Sequence, residues 1–227
     1  MTQIKVFTNI LKANENIAQE NRDIFNENKV YTINLMSSPG SGKTSLLERT
    51  IDSLKGELRI AVLEGDLQTS NDAERIEKYN IPVVQINTEG ACHLDANMVH
   101  SVLNSYNFKE VDLFIIENVG NLVCPANYDL GEDDKIVMVS IPEGDDKPIK
   151  YPLMFHKANV LLVNKIDLLP YTNFNISKIQ KDAQNINSNI KIFEISCTTG
   201  EGLETWFDWL REQVKKKSAS YPVGQSF

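Results

Sequence analysis

The stretch Asn34–Thr50, NLMSSPGSGKTSLLERT, ends as a phosphate-binding loop ends but does not begin as one begins. The pattern G-x-x-x-x-G-K-[ST] is met by Gly42, Lys43 and Thr44, while Ser37 stands where the first glycine belongs. The flanks decide the reading. An apolar run, VYTINLM (30–36), leads into the loop and a helical pattern begins at residue 43, so a buried strand should feed a helix whose positive N-terminus faces the phosphates. Gly40 and Gly42 let backbone N–H groups curl around the phosphates, with Ser38, Pro39, Ser41 and Ser45 completing the expected nucleotide contacts. Lys43 is the expected catalytic cation at the β- and γ-phosphates, and the Thr44 hydroxyl is an expected Mg²⁺ ligand. Serine at position 37 is compatible with this role if it takes the required backbone angles, because the phosphate-facing donors lie later in the loop.

Six further apolar runs lie at 59–63, 81–86, 111–117, 135–141, 158–163 and 190–195, and most of the seven lack polar alternation, as strands buried on both faces of a parallel sheet require. Helical patterns lie at 43–55, 70–79, 94–106, 176–185 and 201–217. The prediction is an α/β fold: a P-loop NTPase with a doubly wound, mostly parallel seven-stranded sheet and flanking helices. Residues 1–29 read as an N-terminal helical extension, either one helix or a pair, residues 30–217 as the nucleotide-binding domain, and residues 218–227 as a flexible tail.

Composition narrows the function. A chain of 227 residues with 41% hydrophobic content can bury one core, and a formal charge of −8 argues against nucleic acid as a partner. No apolar run reaches the roughly 18–20 residues that cross a bilayer, and the first residues lack a signal-peptide core, so no membrane association and a cytoplasmic location are expected. Three cysteines, Cys92, Cys124 and Cys197, are too few for a disulfide framework and remain available to metal.

After the sixth run, Asn164, Lys165 and Asp167 form N-K-x-D, the guanine-reading pattern. The Asp167 carboxylate can accept from both N1–H and the 2-amino group of guanine, which adenine cannot match, a discrimination of roughly 1–3 kcal/mol by analogy with base-edge pairs. Lys165 can lay its stem over the base. The segment SCTTGEGL, with Ser196 and Cys197, is the expected second base loop, whose amide meets the guanine oxygen. Glu117 ends an apolar strand and should reach Mg²⁺, with Gly120 as the γ-phosphate sensor. Asn121 follows where the best-known GTPases place glutamine, so slow intrinsic hydrolysis is expected. Asp66, just past another strand, should bind Mg²⁺ or aim the attacking water, and Asp72 should cap a helix.

Cys92 and His93 precede a helical pattern, a position expected to lower the thiol's pKa, and Cys124 lies four residues after Gly120. Together they offer S, N and S donors suited to Ni²⁺ or Zn²⁺. Three donors leave a tetrahedral site incomplete, to be closed by water or by a second subunit. On spacing alone, buried apolar roles for the two cysteines are an even alternative. His100 and His156 read as surface residues.

The segments LMSSPGSGKTSLLERT, EGD, DAERI, NTEGACHLDA, FIIENVGNLVCPANYDLGE, EGDDKPIKYP, NKIDLLPY and TTGEGLETW together resemble the HypB family of nickel-incorporation GTPases, a likeness that covers residues 5–215. The resemblance implies hydrolysis of GTP to GDP tied to nickel delivery, a homodimer in the GTP state, and a metal site at Cys92, His93 and Cys124. It also implies three kinds of partner: the nickel-binding factor HypA, the hydrogenase large-subunit precursor and, in some members, urease maturation proteins. Family members with a nickel store carry an N-terminal Cys- or His-rich tract, whereas residues 1–30 here hold no Cys and no His. Lys147 and Lys150 could reach a phosphate across a dimer interface or lie in a solvated loop. Competing readings are a P-loop small-molecule kinase, a metal-binding protein with vestigial GTPase activity, and a relative serving urease or a cobalamin enzyme.

Overall fold

The structure, a computed structural model, describes the backbone of residues 2–66 and 75–220 and the side chains of residues 11–65 and 75–220. Seven strands form one sheet: β1 (Tyr31–Ser37), β2 (Ile60–Asp66), β3 (Val83–Asn87), β4 (Leu113–Glu117), β5 (Asp134–Ser140), β6 (Val160–Asn164) and β7 (Lys191–Glu194). Their order is β3-β2-β4-β1-β5-β6-β7 and every pairing is parallel. From the central β1 the chain moves two places outward to β2 and returns by β4, then crosses to β5 on the other side. Such a reversal opens a crevice at the carboxyl ends of the strands, where α/β sheets bind ligands.

Alternate residues of the strands build the two faces. Ile33 and Leu35 of β1, Ile60 and Val62 of β2, and Leu113 and Ile115 of β4 pack against Leu47 and Ile51 of helix α2 (Lys43–Leu54) and against Trp206 and Leu210 of the C-terminal helix Leu203–Ser220. On the opposite face Leu63, Phe114 and Ile116 meet α1 (Thr2–Glu27) and the helix Ala96–Val102. Val137, Val139, Leu161 and Val163 meet the helices Pro152–Lys157 and Ile176–Ile186. No helix among the described residues is long and apolar enough to cross a membrane.

The N-terminal segment is one helix rather than two. Phe25 is fully buried, its ring 5.4 Å from Phe108 and 5.6 Å from Phe114, so the end of α1 belongs to the core of that face. The C-terminal helix runs to Ser220, beyond the expected residue 217, because Lys217 is drawn inward: its Nζ donates to Asn26 Oδ1 at 2.6 Å and to Asp133 Oδ1 at 2.5 Å. Residues 221–227 lie outside the described residues, as do the first half of the helix expected over 70–79 and the proposed cap Asp72.

In β1, Thr32 and Asn34 alternate with apolar residues yet are fully buried. The Thr32 hydroxyl has no hydrogen-bond partner among the described residues, whereas Asn34 joins a polar seam between the two apolar clusters of that face: Asn34 Nδ2 donates to Glu132 Oε1 (3.2 Å), and Asn118 Nδ2 donates to Asn34 Oδ1 (3.1 Å). Glu132 also accepts from Lys135 (2.7 Å) and from the Leu130 amide (2.6 Å). Buried polar groups paired in this way avoid the desolvation penalty that would otherwise exclude them.

Candidate functional site

A cleft of about 480 Å³ opens at the carboxyl ends of β1, β2 and β4, lined by the loop before α2 and by the segment after β4. Gly40 (φ +76°) and Gly42 (φ +104°) supply the left-handed turns of the loop. Ser37 is not among the positive-φ residues, so β1 reaches the loop without needing glycine there. Its hydroxyl accepts from Lys43 Nζ at 3.2 Å and donates to the Ser38 carbonyl at 2.7 Å. Serine thus supplies a hydrogen bond that glycine could not.

Lys43 and Thr44 open α2 and are both buried. Glu117, at the end of β4 and 4% exposed, meets both: its Oε1 lies 3.6 Å from Lys43 Nζ and accepts from Thr44 Oγ1 at 3.3 Å. Hydroxyl and carboxylate oxygens are hard donors that fit Mg²⁺. Gly120 packs so closely on Pro39 that an added Cβ would stand 3.0 Å from its ring. The segment expected to sense the γ-phosphate therefore lies directly on the phosphate loop.

Asp66 closes β2, paired with Asn87 of β3, and its side chain lies outside the described ones. The sequence reading missed Glu64, two residues earlier on the same strand. It is 2% exposed, pairs in register with Glu117 and lines the same cleft. The available signal was the alternation Ile60, Val62, Glu64, which puts the carboxylate on the α2 face.

Asn164, Lys165 and Asp167 follow β6. Asn164 Nδ2 donates to the Ser41 carbonyl at 2.8 Å and its Oδ1 accepts from the Cys197 amide at 3.2 Å, joining phosphate loop to base loop. Lys165 adopts φ +64° and stretches its stem across the loop to donate to the Gly40 carbonyl at 2.7 Å. Asp167 Oδ1 accepts the Ser196 hydroxyl at 2.5 Å. The Cys197 thiol is pushed up to about 11 by burial and stays protonated, consistent with a packing role. Gly42 has no room for change: a Cβ would approach Asn164 Nδ2 to 2.6 Å in addition to the strained φ. Gly42→Ala is therefore expected to abolish binding of a fluorescent guanine nucleotide while leaving the far-UV circular dichroism spectrum intact, the two being recorded on one sample.

The three sulfur and nitrogen donors converge although 32 residues separate the two cysteines. Cys92 Sγ lies 2.8 Å from Cys124 Sγ and 3.6 Å from His93 Nδ1, and the three donor atoms fall within 4.8 Å of one another. The loop after Gly90 (φ +95°) is irregular, which lets neighbours 92 and 93 point to the same place. His93 stacks on Tyr128 with ring centroids 3.9 Å apart, and burial lowers its pKa, favouring the neutral ligand form. The expected lowering of the Cys92 pKa is corrected: its hydrogen bond with Cys124 raises it, and the helix N-terminus is four residues away, capped by Asp95 onto the Met98 amide. His100, read as a surface residue, is half-buried and hydrogen-bonded to Asn21 Oδ1 at 2.7 Å.

Two side chains tie this cluster to the phosphate cleft. Asn121 Nδ2 donates to the Cys92 carbonyl at 3.2 Å. Asn118, next to Glu117 and 1% exposed, accepts from the amides of Leu94 (3.1 Å) and Val119 (2.9 Å). Lys147 and Lys150 occupy a short helix where each meets a carboxylate one turn back, Glu143 at 3.7 Å and Asp146 at 2.6 Å.

Comparison with known proteins agrees with this geometry. The sequence model of a family described as "CobW/HypB/UreG, nucleotide-binding domain" matches residues 31–194. The chain is 47% identical over 210 residues to hydrogenase maturation factor HypB of Escherichia coli K12, covering 92% of this chain and 72% of that protein. Among solved structures, HypB from Archaeoglobus fulgidus superposes with a TM-score of 0.84 at 40% identity, covering 89% of this chain and 99% of that one. HypB from Helicobacter pylori in complex with nickel gives 0.84 at 39% identity, covering 95% and 100%. With a parallel sheet, phosphate loop and sequence likeness all in accord, the chain belongs to the HypB branch of the CobW/HypB/UreG nucleotide-binding family.

Proposed function

We propose that the chain is a GTP-hydrolysing nickel carrier that serves [NiFe] hydrogenase maturation in the cytoplasm, dimerising when GTP is bound. The observation that carries the proposal is the continuity of one segment: Glu117 lies in the phosphate cleft, Gly120 on the phosphate loop, and Cys124 in the S, N, S donor cluster. The likeness to the hydrogenase maturation factor of Escherichia coli and to the nickel-bound HypB of Helicobacter pylori supports the hydrogenase and nickel parts of the reading. A HypA-type nickel-binding protein and a hydrogenase large-subunit precursor are the proposed partners. Zn²⁺ is a second ion that the donor set accommodates.

In this reading the backbone amides of the loop and Lys43 receive the phosphates, the Lys43 ammonium exchanging Glu117 for phosphate oxygens. Thr44 and Glu117, with Asp66, hold Mg²⁺, which when bound neutralises charge on the β- and γ-phosphates. Asp66 or its neighbour Glu64 orients the attacking water. Asp167 and the base loop select guanine. Loss of the γ-phosphate frees Gly120, and its movement reaches Cys92 through Asn121 and displaces Cys124, so that nucleotide state and metal holding change together. Nickel is cargo in this scheme, held by Cys92, His93 and Cys124 until transfer.

The test is phosphate release from GTP with no added acceptor, combined with mass measurement in the GDP and non-hydrolysable GTP-analogue states. Steady release and a mass doubled only by the analogue are expected. Turnover that requires a small-molecule acceptor would assign the chain to the kinases instead.

A further inference from the structure

The base loop is gripped from two sides. From β6, Asn164 Oδ1 takes the Cys197 amide and Asp167 takes the Ser196 hydroxyl. From α2, Arg49 reaches across: its Nε donates to the Cys197 carbonyl at 2.9 Å and its Nη2 to the Thr198 carbonyl at 3.2 Å. A guanidinium presents its donors as a rigid planar fork, so two consecutive carbonyls held by it fix the loop's orientation as well as its distance.

Peptide planarity turns this grip into aim. In a trans peptide the carbonyl of one residue and the N–H of the next point in opposite directions. With the Cys197 and Thr198 carbonyls facing Arg49, the amides of Thr198 and Thr199 face away from α2. The Thr199 amide is already bound to the Ser196 hydroxyl at 3.1 Å, closing a turn beside Asp167. Thr198–Gly200 are exposed, and Gly200 has φ +88°, so packing does little to hold this part of the loop.

We infer that Arg49 is a specificity-positioning residue, which fixes the Cys197–Thr198 carbonyls so that the base loop presents the Thr198 amide to the 6-oxo group of a purine nucleotide. The inference rests on the guanine reading above. It assigns to α2, the helix headed by the phosphate loop, a share in recognising the far end of the ligand. Arg49 touches neither base nor phosphate in this role, and Asp167, which reads N1–H and the 2-amino group, keeps its own anchor on Ser196.

The split between these two contacts supplies the test. Affinities of the full chain for GDP, IDP and 2-aminopurine riboside diphosphate are measured for wild type, Arg49→Ala and Arg49→Lys by competition with a fluorescent nucleotide. GDP and IDP share the 6-oxo group and N1–H, whereas the third nucleotide lacks both; its wild-type affinity also reflects a lost Asp167 contact, so the readout is the change that each Arg49 variant makes to each nucleotide. Arg49→Ala is expected to weaken GDP and IDP in parallel, by about tenfold, and to leave the 2-aminopurine nucleotide unchanged. Arg49→Lys, able to serve one carbonyl, should fall between, and it keeps the test open if the alanine variant does not fold. Equal weakening of all three nucleotides, or of none, would overturn the inference and reduce Arg49 to a brace or a bystander. A wild-type chain that does not prefer GDP to the 2-aminopurine nucleotide would instead remove the guanine reading itself.

Discussion

Asp167→Asn is expected to lower affinity for GDP by about two to three orders of magnitude and to raise affinity for XDP in return. Asp167 stands in the turn that follows β6, two residues after Lys165 with its positive φ, and the Ser196 hydroxyl orients one of its oxygens. A carboxylate accepting two hydrogen bonds from guanine loses both charge assistance and one acceptor when it becomes an amide. At roughly 1.5–3 kcal/mol for a hydrogen bond to a charged group, the two together account for the expected loss. Xanthine replaces the 2-amino donor with a carbonyl, which the asparagine NH₂ can meet while its oxygen still accepts from N1–H. Titration of the variant with both nucleotides measures the exchange; a variant that binds GDP as tightly as wild type would show that Asp167 does not read the base.

Cys124→Ala carries the second large effect. Removing one of three converging donors leaves Cys92 and His93, adjacent in sequence, as the whole site. Losing a supporting hydrogen bond to a ligand costs roughly 10–100-fold in metal affinity, and losing a ligand should cost more. Nickel affinity is therefore expected to fall by more than about a hundredfold, and the difference between the GDP and GTP-analogue states should disappear with it. The second part distinguishes a coupled site from an independent one, because Cys124 is the donor carried by the segment that rests on the phosphate loop through Gly120. Nickel titrations of wild type and variant in both nucleotide states provide the readout. Equal affinities in all four conditions would separate metal holding from nucleotide turnover.

Both predictions rest on residues that differ in how visibly they announce themselves. Gly42, Lys43 and Thr44 are contiguous, and the chemistry of phosphate binding is built from one turn of backbone, so a short window of sequence contains nearly all of it. The same holds for Asn164, Lys165 and Asp167. The central strands were foreseeable because residues such as Leu161, Leu162 and Val163, buried on both sides of a sheet, leave an uninterrupted apolar run, whereas the edge strands β3 and β7 are only partly buried. The run at β1 is buried as its pattern requires, but the pattern does not show how a polar residue inside it is satisfied: the partners of Asn34 are Asn118 and Glu132, about 80 to 100 residues away.

Local patterning thus determined the sheet, the phosphate loop and the candidate base-reading residues, since each depends on spacing within a single element. Tertiary structure alone decided which distant groups face one another. It brought Cys124 to Cys92, set Glu64 beside Glu117 across neighbouring strands, and placed Arg49 of α2 on the carbonyls of the base loop. The physical reason is that strand order and helix packing set these separations, and neither is encoded in the run of residues that carries any one of the partners.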